Sequence, residues 1–299
     1  MNNYIATLPA IRPPFLTLAP LSCLVGLAYC NYIGFHINFL FAALSILGAT
    51  FAAIAVNTIN EYQDFQSGLD LNTNRTPFSG GSGLLKQHPH LTTYVKKLAI
   101  VAVSIVLAIG VFFIVTVGVS LIPIGVLGLL IVITYTNFLN KHPWLCFIAP
   151  GLGFAVLMPI GAFVVQTGEW HFSLLAITLV PFLITNNLLL MNQFPDISAD
   201  KNVGRNHLAI RYGVTFARQV FALSLFAAIA CLLYFVTSNL LPTLALITLL
   251  PLGLCLISLV YLYRLGDNIA QHLPAMGLVA AAANLTPLML SLALFMSKS

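Results

Sequence analysis

The strongest constraint on this chain is its repeated runs of apolar residues, each close to the length of a bilayer crossing. A helix needs about 20 apolar residues to span the hydrocarbon, and nine such runs are read, at about 14–35, 38–60, 97–117, 119–136, 144–166, 172–193, 215–236, 240–263 and 275–296. Charged residues make up only 6% of the 299 and the mean hydropathy is +0.99, whereas soluble domains carry about 25% charge. The expected class is therefore all-α: a polytopic membrane protein of nine transmembrane helices, forming one integral-membrane domain over residues 1–299.

The first run is not read as a cleaved signal peptide, because it is long, has only Arg12 before it and leads into further spans. The five cysteines lie in or beside apolar runs without CxxC spacing, so they are read as packing residues, not zinc ligands or a disulfide framework. The net charge of +5 is a matter of orientation. With nine spans and a cytoplasmic N-terminus, Arg12, Arg75, Lys86, Lys96, Lys97, Lys141, Lys201, Arg205, Arg211, Arg218 and Arg264 fall inside and only Lys298 outside. That is the positive-inside pattern, not a nucleic-acid footprint. It places the functional face at the cytoplasmic side of a membrane expected to be the bacterial inner membrane.

Against this background, "NEYQDFQSGLD" (Asn60–Asp70) is anomalous, since three of the seven acidic residues lie within it. A second stretch, "NQFPDISADK" (Asn192–Lys201), repeats its grammar: an apolar helix, Asn-x-x-x-Asp, then a further Asp and basic residues. The two segments are consistent with an internal duplication. Residues at i, i+3, i+4 and i+7 share a helix face, so Asn57, Asn60, Glu61 and Asp64 form one polar stripe. Asn192, Asp196 and Asp200 form another, with Pro195 expected to open the helix between them. A lone Asp at a span end reads as a solvated loop residue. Two matched clusters holding five of the seven acids do not, because carboxylates at the hydrocarbon edge are costly unless paired, hydrated or metal-bound.

Two facing carboxylate clusters repel, and a hard divalent cation removes the repulsion. Carboxylate and amide oxygens suit Mg²⁺, which also binds substrate phosphate. Arg75, Lys141, Lys201 and Arg205 supply positive charge around the clusters, and "PFSGGSG" (Pro77–Gly83) offers backbone N–H groups for an anion. The ligand inferred from the residues is a diphosphate with an apolar tail directed into a central cavity of the bundle, open to the cytoplasmic side. Tyr62, Phe65, Tyr135 and Phe138 present π-faces suited to a carbocation or, equally, to an interfacial belt. His88, His90 and His142 lack ligand spacing and read as solvated.

At this point Asn60-x-x-x-Asp64-x-x-x-Gly68-x-Asp70 and Asn192-x-x-x-Asp196-x-x-x-Asp200-Lys201-x-x-Gly204-Arg205 resemble the paired signatures of the UbiA superfamily of intramembrane prenyltransferases. The likeness covers nearly the whole chain, including "RPPFLTLAP" (Arg12–Pro20) at the first span. Gly68-Leu69-Asp70 and "GRNHLAIRYG" (Gly204–Gly213) are similar to the branch that prenylates 1,4-dihydroxy-2-naphthoate in menaquinone synthesis. Glu61, where Asp is common, and Gln193, where a second Asn is frequent, depart from that branch, and Gln193 bears on the acceptor.

The resemblance implies a Mg²⁺-dependent transfer from a prenyl diphosphate to an aromatic acceptor. Asp64, Asp70, Asp196 and Asp200 would be the catalytic metal-binding carboxylates, and Asn60 and Asn192 would complete the metal shell. Arg75, Lys141, Lys201 and Arg205 would bind diphosphate, while Asn57, Tyr62 and Tyr135 would face the acceptor or the allylic cation. Two alternatives accompany this reading. One is the same chemistry on 4-hydroxybenzoate, homogentisate, a tetrapyrrole or a glycerol-phosphate lipid. The other is an ion-coupled transporter, which predicts acids at mid-span rather than at inner ends.

Overall fold

The computed structural model describes residues 3–73 and 75–297, and every regular element among them is helical. Helix α1 (Leu18–Tyr32) follows Leu8–Leu16 across a 40° bend. The chain continues through α2 (Phe39–Gln66), α3 (Thr92–Thr116), α4 (Ile122–Thr134), α5 (Pro143–Thr167), α6 (Phe172–Gln193), α7 (Val214–Thr237), α8 (Leu249–Leu265) and α9 (Leu273–Met296). Among the described residues, six stretches are long and apolar enough to cross a bilayer, or seven if the bent pair counts as one. This is fewer than the nine runs read from the sequence, for two physical reasons. Val119–Thr134 is apolar but short, and α8 and α9 belong to one helical stretch, Thr243–Met296, joined by tight turns at Gly266–His272. Lys298 lies outside the described residues.

Helix packing explains the inside of the bundle. In lipid there is little hydrophobic drive between helices, so close approach of small residues and interhelical hydrogen bonds take over. A Cβ on Gly26 of α1 would run into the carbonyl of Pro159 on α5. Asn187 of α6 donates to the Phe221 carbonyl of α7 at 3.0 Å. The buried core is concentrated where α1, α5, α6, α7, α8 and α9 meet. By contrast α4 buries no residue, and Val111, Val115, Val126, Leu130 and Ile133 on α3 and α4 are exposed. So large an apolar exterior marks a membrane surface, and the protein is an integral membrane protein.

Two local breaks position the cavity. Pro150 lacks the N–H that would continue the α5 ladder, and the chain widens into a π-helical stretch over Gly151–Leu157. Gly151 N–H donates instead to Asn186 Oδ1 at 2.7 Å, and any side chain at Gly151 would collide with Asn186 and Phe182. At the other break α6 stops at Gln193, turns through Pro195, and resumes as the short helix Ile197–Asn202. The opening expected at Pro195 is present. Helix α2 instead runs about two turns beyond residue 60, to Gln66, so Glu61 and Asp64 are helical.

Candidate active site

A cavity of about 440 Å³ enters the bundle between α2, α3, α4, α5 and α6. Its deep part is apolar, lined by Val106, Gly125, Leu129, Phe154 and Leu157; its head is polar. α2 contributes Asn57, Asn60 and Asp64 to the head. Gly68, in the left-handed region at φ 77°, ends that helix and turns the chain so that Asp70 also reaches the cavity. From the second motif come Asn192, Asp196 and Asp200, followed by Arg205 and His207; Arg12, Tyr135 and Gln193 also line the head. The two motifs, distant in sequence, thus face one space.

Arg205 joins them. Its Nη1 donates to Asp200 Oδ1 at 3.0 Å, and its Nη2 donates to Asp64 Oδ1. His207 Nε2 lies 3.3 Å from Asp200 Oδ2. Arg12 Nη2 donates to Asn60 Oδ1 at 3.0 Å and sits 3.6 Å from Glu61 Oε2, while Asn60 Nδ2 donates to Thr136 Oγ1 at 3.1 Å. The Ser79–Gly83 loop closes over the head: Gly80 N–H donates to Asp196 Oδ2 at 3.0 Å, Ser82 N–H to Glu61 Oε2 at 3.0 Å, and Ser82 Oγ to Glu61 Oε1. Two of the loop N–H groups expected to cradle a bound anion, those of Gly80 and Ser82, are therefore engaged by the protein's own carboxylates.

The remaining oxygens are short of partners. Asp70 Oδ2, Asn192 Oδ1 and Asp196 Oδ1 are buried without a hydrogen bond. Burial, reinforced by Asp64 and Glu61, pushes the Asp70 carboxyl up to about 7. Burial, reinforced by Asp200, pushes Asp196 up to about 7 as well. The pKa of the Arg205 guanidinium is raised as well: burial opposes its charge, but Asp64 and Asp200 outweigh that and hold it firmly protonated. Among the described residues no three Asp, Glu, His or Cys side chains form a ready-made metal group. The donor set nevertheless fits a hard divalent ion, because its unpartnered atoms are carboxylate and amide oxygens facing one cavity.

A model of the UbiA prenyltransferase family matches residues 19–276. The chain belongs to that family. It is 27% identical to 1,4-dihydroxy-2-naphthoate octaprenyltransferase of Escherichia coli (strain K12), over 98% of this chain and 96% of that one. It is 25% identical to the Bacillus subtilis (strain 168) protein of the same name, over 68% and 64%. Among solved structures, the apo UbiA homolog from Aeropyrum pernix K1 superposes with a TM-score of 0.72 at 15% identity, covering 96% of this chain and 98% of that one. The UbiA homolog from Archaeoglobus fulgidus bound to DMAPP and Mg²⁺ gives 0.67 at 14% identity, covering 95% and 98%. These likenesses establish a prenyltransferase of the UbiA fold.

Within this UbiA fold the sequence-predicted residues divide into two groups. Asn57, Asn60, Asp64, Asp70, Tyr135, Asn192, Asp196, Asp200 and Arg205 all line the cavity. Tyr62 does not. Two residues from Asn60 and from Asp64 on a 3.6-residue helix, it points to the opposite side, where it packs with Leu84, Leu85 and Leu91 beneath Lys96. Arg75, Lys141 and Lys201 are exposed outside the cavity, with Arg75 Nε donating to the Gly81 carbonyl at 3.3 Å. Phe65 packs beside Tyr62, and Phe138, His88, His90 and His142 are exposed.

The sequence reading passed over Arg12, His207 and the second role of Glu61. Arg12 had a signal, the Pro13-Pro14 pair that follows it and its place at the head of "RPPFLTLAP". His207 lies within "GRNHLAIRYG", but only folding brings its ring to Asp200.

Proposed function

We propose that this prenyltransferase moves a polyprenyl group from its diphosphate to 1,4-dihydroxy-2-naphthoate, a step of menaquinone synthesis, in a Mg²⁺-dependent reaction. The observation that carries the reading is the convergence of Asp64, Asp70, Asp196 and Asp200 at the polar head of an apolar cavity. The acceptor is supported by Gly68-Leu69-Asp70 and by the names of the two bacterial relatives. The donor and metal are supported by the A. fulgidus homolog structures with DMAPP or GPP and Mg²⁺.

Mg²⁺, when bound, neutralises diphosphate charge and makes it a better leaving group. Asp64, Asp70, Asp196 and Asp200 would hold it, with Asn60 and Asn192 adding amide oxygens. Arg205 donates to the departing diphosphate, and Arg75, Lys141 and Lys201 lend positive charge at the rim. As the allylic C1–O bond breaks, its electron pair leaves with the diphosphate; a carbon of the electron-rich ring attacks C1 and then loses its own substituent, as a proton or, where it carries the carboxylate, as CO₂, which restores the aromatic ring. The apolar cavity keeps water from quenching the cation. Tyr135 offers a π-face to it, and Asn57 faces the acceptor. The reaction requires no side-chain nucleophile. In the bilayer we place nine crossings, counting α4 and separating α8 from α9, with the N-terminus and acidic head cytoplasmic by the positive-inside rule, in the bacterial inner membrane.

The test is incubation of purified protein with a prenyl diphosphate, dihydroxynaphthoate and Mg²⁺. The expected result is diphosphate release and a prenylated naphthoate by mass spectrometry, with Asp64→Asn and Asp196→Asn each slowed by about 100-fold or more. Release only with another aromatic acceptor would reassign the substrate. No release with any acceptor would refute the reading.

A further inference from the structure

We propose that Arg205 is a resident counter-cation, holding one carboxylate of each motif until metal and diphosphate together displace it. The inference rests on the two-motif metal reading above. One guanidinium spans Asp64 at the end of α2 and Asp200 on the helix after α6. Each motif is thereby split in the same way. Asp64 and Asp200 are satisfied by Arg205, while Asp70 and Asp196 each keep an oxygen without a partner. The other guanidinium of the head, Arg12, is committed to Asn60 and Glu61.

The anchoring suits a side chain that changes partners on a fixed backbone. Arg205 N–H donates to the Asp200 carbonyl at 3.0 Å, and the next N–H, of Asn206, donates to the Asn140 carbonyl at 2.9 Å. The fork above this backbone matches carboxylates and phosphates equally well. A divalent ion and a guanidinium on the same carboxylates repel strongly in a buried site, so metal entry requires Arg205 to release at least one of them. Metal alone offers the freed guanidinium no anion, whereas metal diphosphate does. Arg205 therefore discourages metal binding in the absence of substrate. A group that only contacted diphosphate would have no such effect.

The test is Mn²⁺ binding to purified wild type, Arg205→Gln and Arg205→Lys, read from the electron paramagnetic resonance signal of free Mn²⁺, without and with a prenyl diphosphate. With Mn²⁺ alone, R205Q is expected to bind about ten-fold more tightly than wild type, the factor for removing a charge-assisted competitor. R205K, which keeps the charge but not the fork, should fall between. In EDTA, R205Q should also melt below wild type and gain more from added Mn²⁺. R205K is the variant to rely on if R205Q does not fold. Saturable Mn²⁺ binding to wild type with unchanged or weaker binding to both variants would overturn the counter-cation role. If wild type shows no saturable Mn²⁺ binding even with prenyl diphosphate, the two-motif metal reading fails, and this inference with it.

Discussion

Five carboxylates crowd the head of the cavity with two guanidinium groups, and the consequences differ from one acid to the next. Glu61 is fully buried, yet it is satisfied by Arg12, Ser82 N–H and Ser82 Oγ, so its role is to hold the Ser79–Gly83 loop over the site. Glu61→Gln keeps one acceptor oxygen but loses the charge and the second acceptor. We expect a stability loss of about 1–3 kcal/mol and a higher KM for prenyl diphosphate, checked by thermal melts and steady-state kinetics. Asp70 and Asp196, by contrast, titrate near 7 in the folded protein, against about 3.9 for an unperturbed Asp. Between those values the folded state holds more protons than the unfolded one, so stability falls as pH rises. In EDTA the melting temperature should drop from about pH 4 to about pH 7, and Mg²⁺ should flatten the slope by taking the place of the protons. A metal-free melting temperature that rises over this window would contradict the strained, unpaired state of these two acids.

At the level of elements, α4 and the π-helical part of α5 shape the tail end of the cavity. A Cβ on Gly125 would meet no atom within 4 Å, and one on Gly128 would meet only Leu157, at 3.9 Å. Side chains added there would enter the cavity without disturbing helix packing. Gly125→Leu and Gly128→Leu are therefore expected to narrow the space for a long prenyl tail and spare a short one. The ratio of kcat/KM for a long over a short prenyl diphosphate should fall by about ten-fold, measured by competition between the two donors. A parallel loss with both donors would mean that these positions support the fold and do not gauge the chain. Helix α2 makes a different point. Its unbroken course to Gln66 carries Asn57, Asn60 and Asp64 on one rigid face and leaves only Asp70 beyond the turn at Gly68, whereas the second motif is split by Pro195 between the end of α6 and the short helix after it.

For the whole molecule, the lipid-facing apolar surface sets it in a membrane, and the proposed orientation rests on the charge distribution. Lys141 and Lys201 are exposed near the acidic head, and Trp170 is exposed in the turn between α5 and α6. Cysteine substituted at Lys141 or Lys201 should react with a membrane-impermeant maleimide from the cytoplasmic side, and cysteine at Trp170 from the opposite side. The reverse pattern would overturn the orientation taken from the basic loops.

Much of this was legible in the linear chain, because a bilayer leaves few choices. Apolar runs of the right length must be helices, and scarce acids at their ends must be neutralised, so the all-helical class, insertion in a membrane and both Asn-x-x-x-Asp motifs follow from residue order alone. Only the tertiary structure decided which charges face one another. Lys201 adjoins the second motif and Lys141 lies in the loop before α5, but both are exposed; Tyr62 is carried to the far side of α2, and Arg12 arrives from the segment before α1. Arg205, read from the sequence as a phosphate ligand, also bridges Asp64 and Asp200, which no spacing announced. Sequence spacing specifies the face of a single helix. Partnership across a bundle depends on how several helices pack, and no local pattern encodes that.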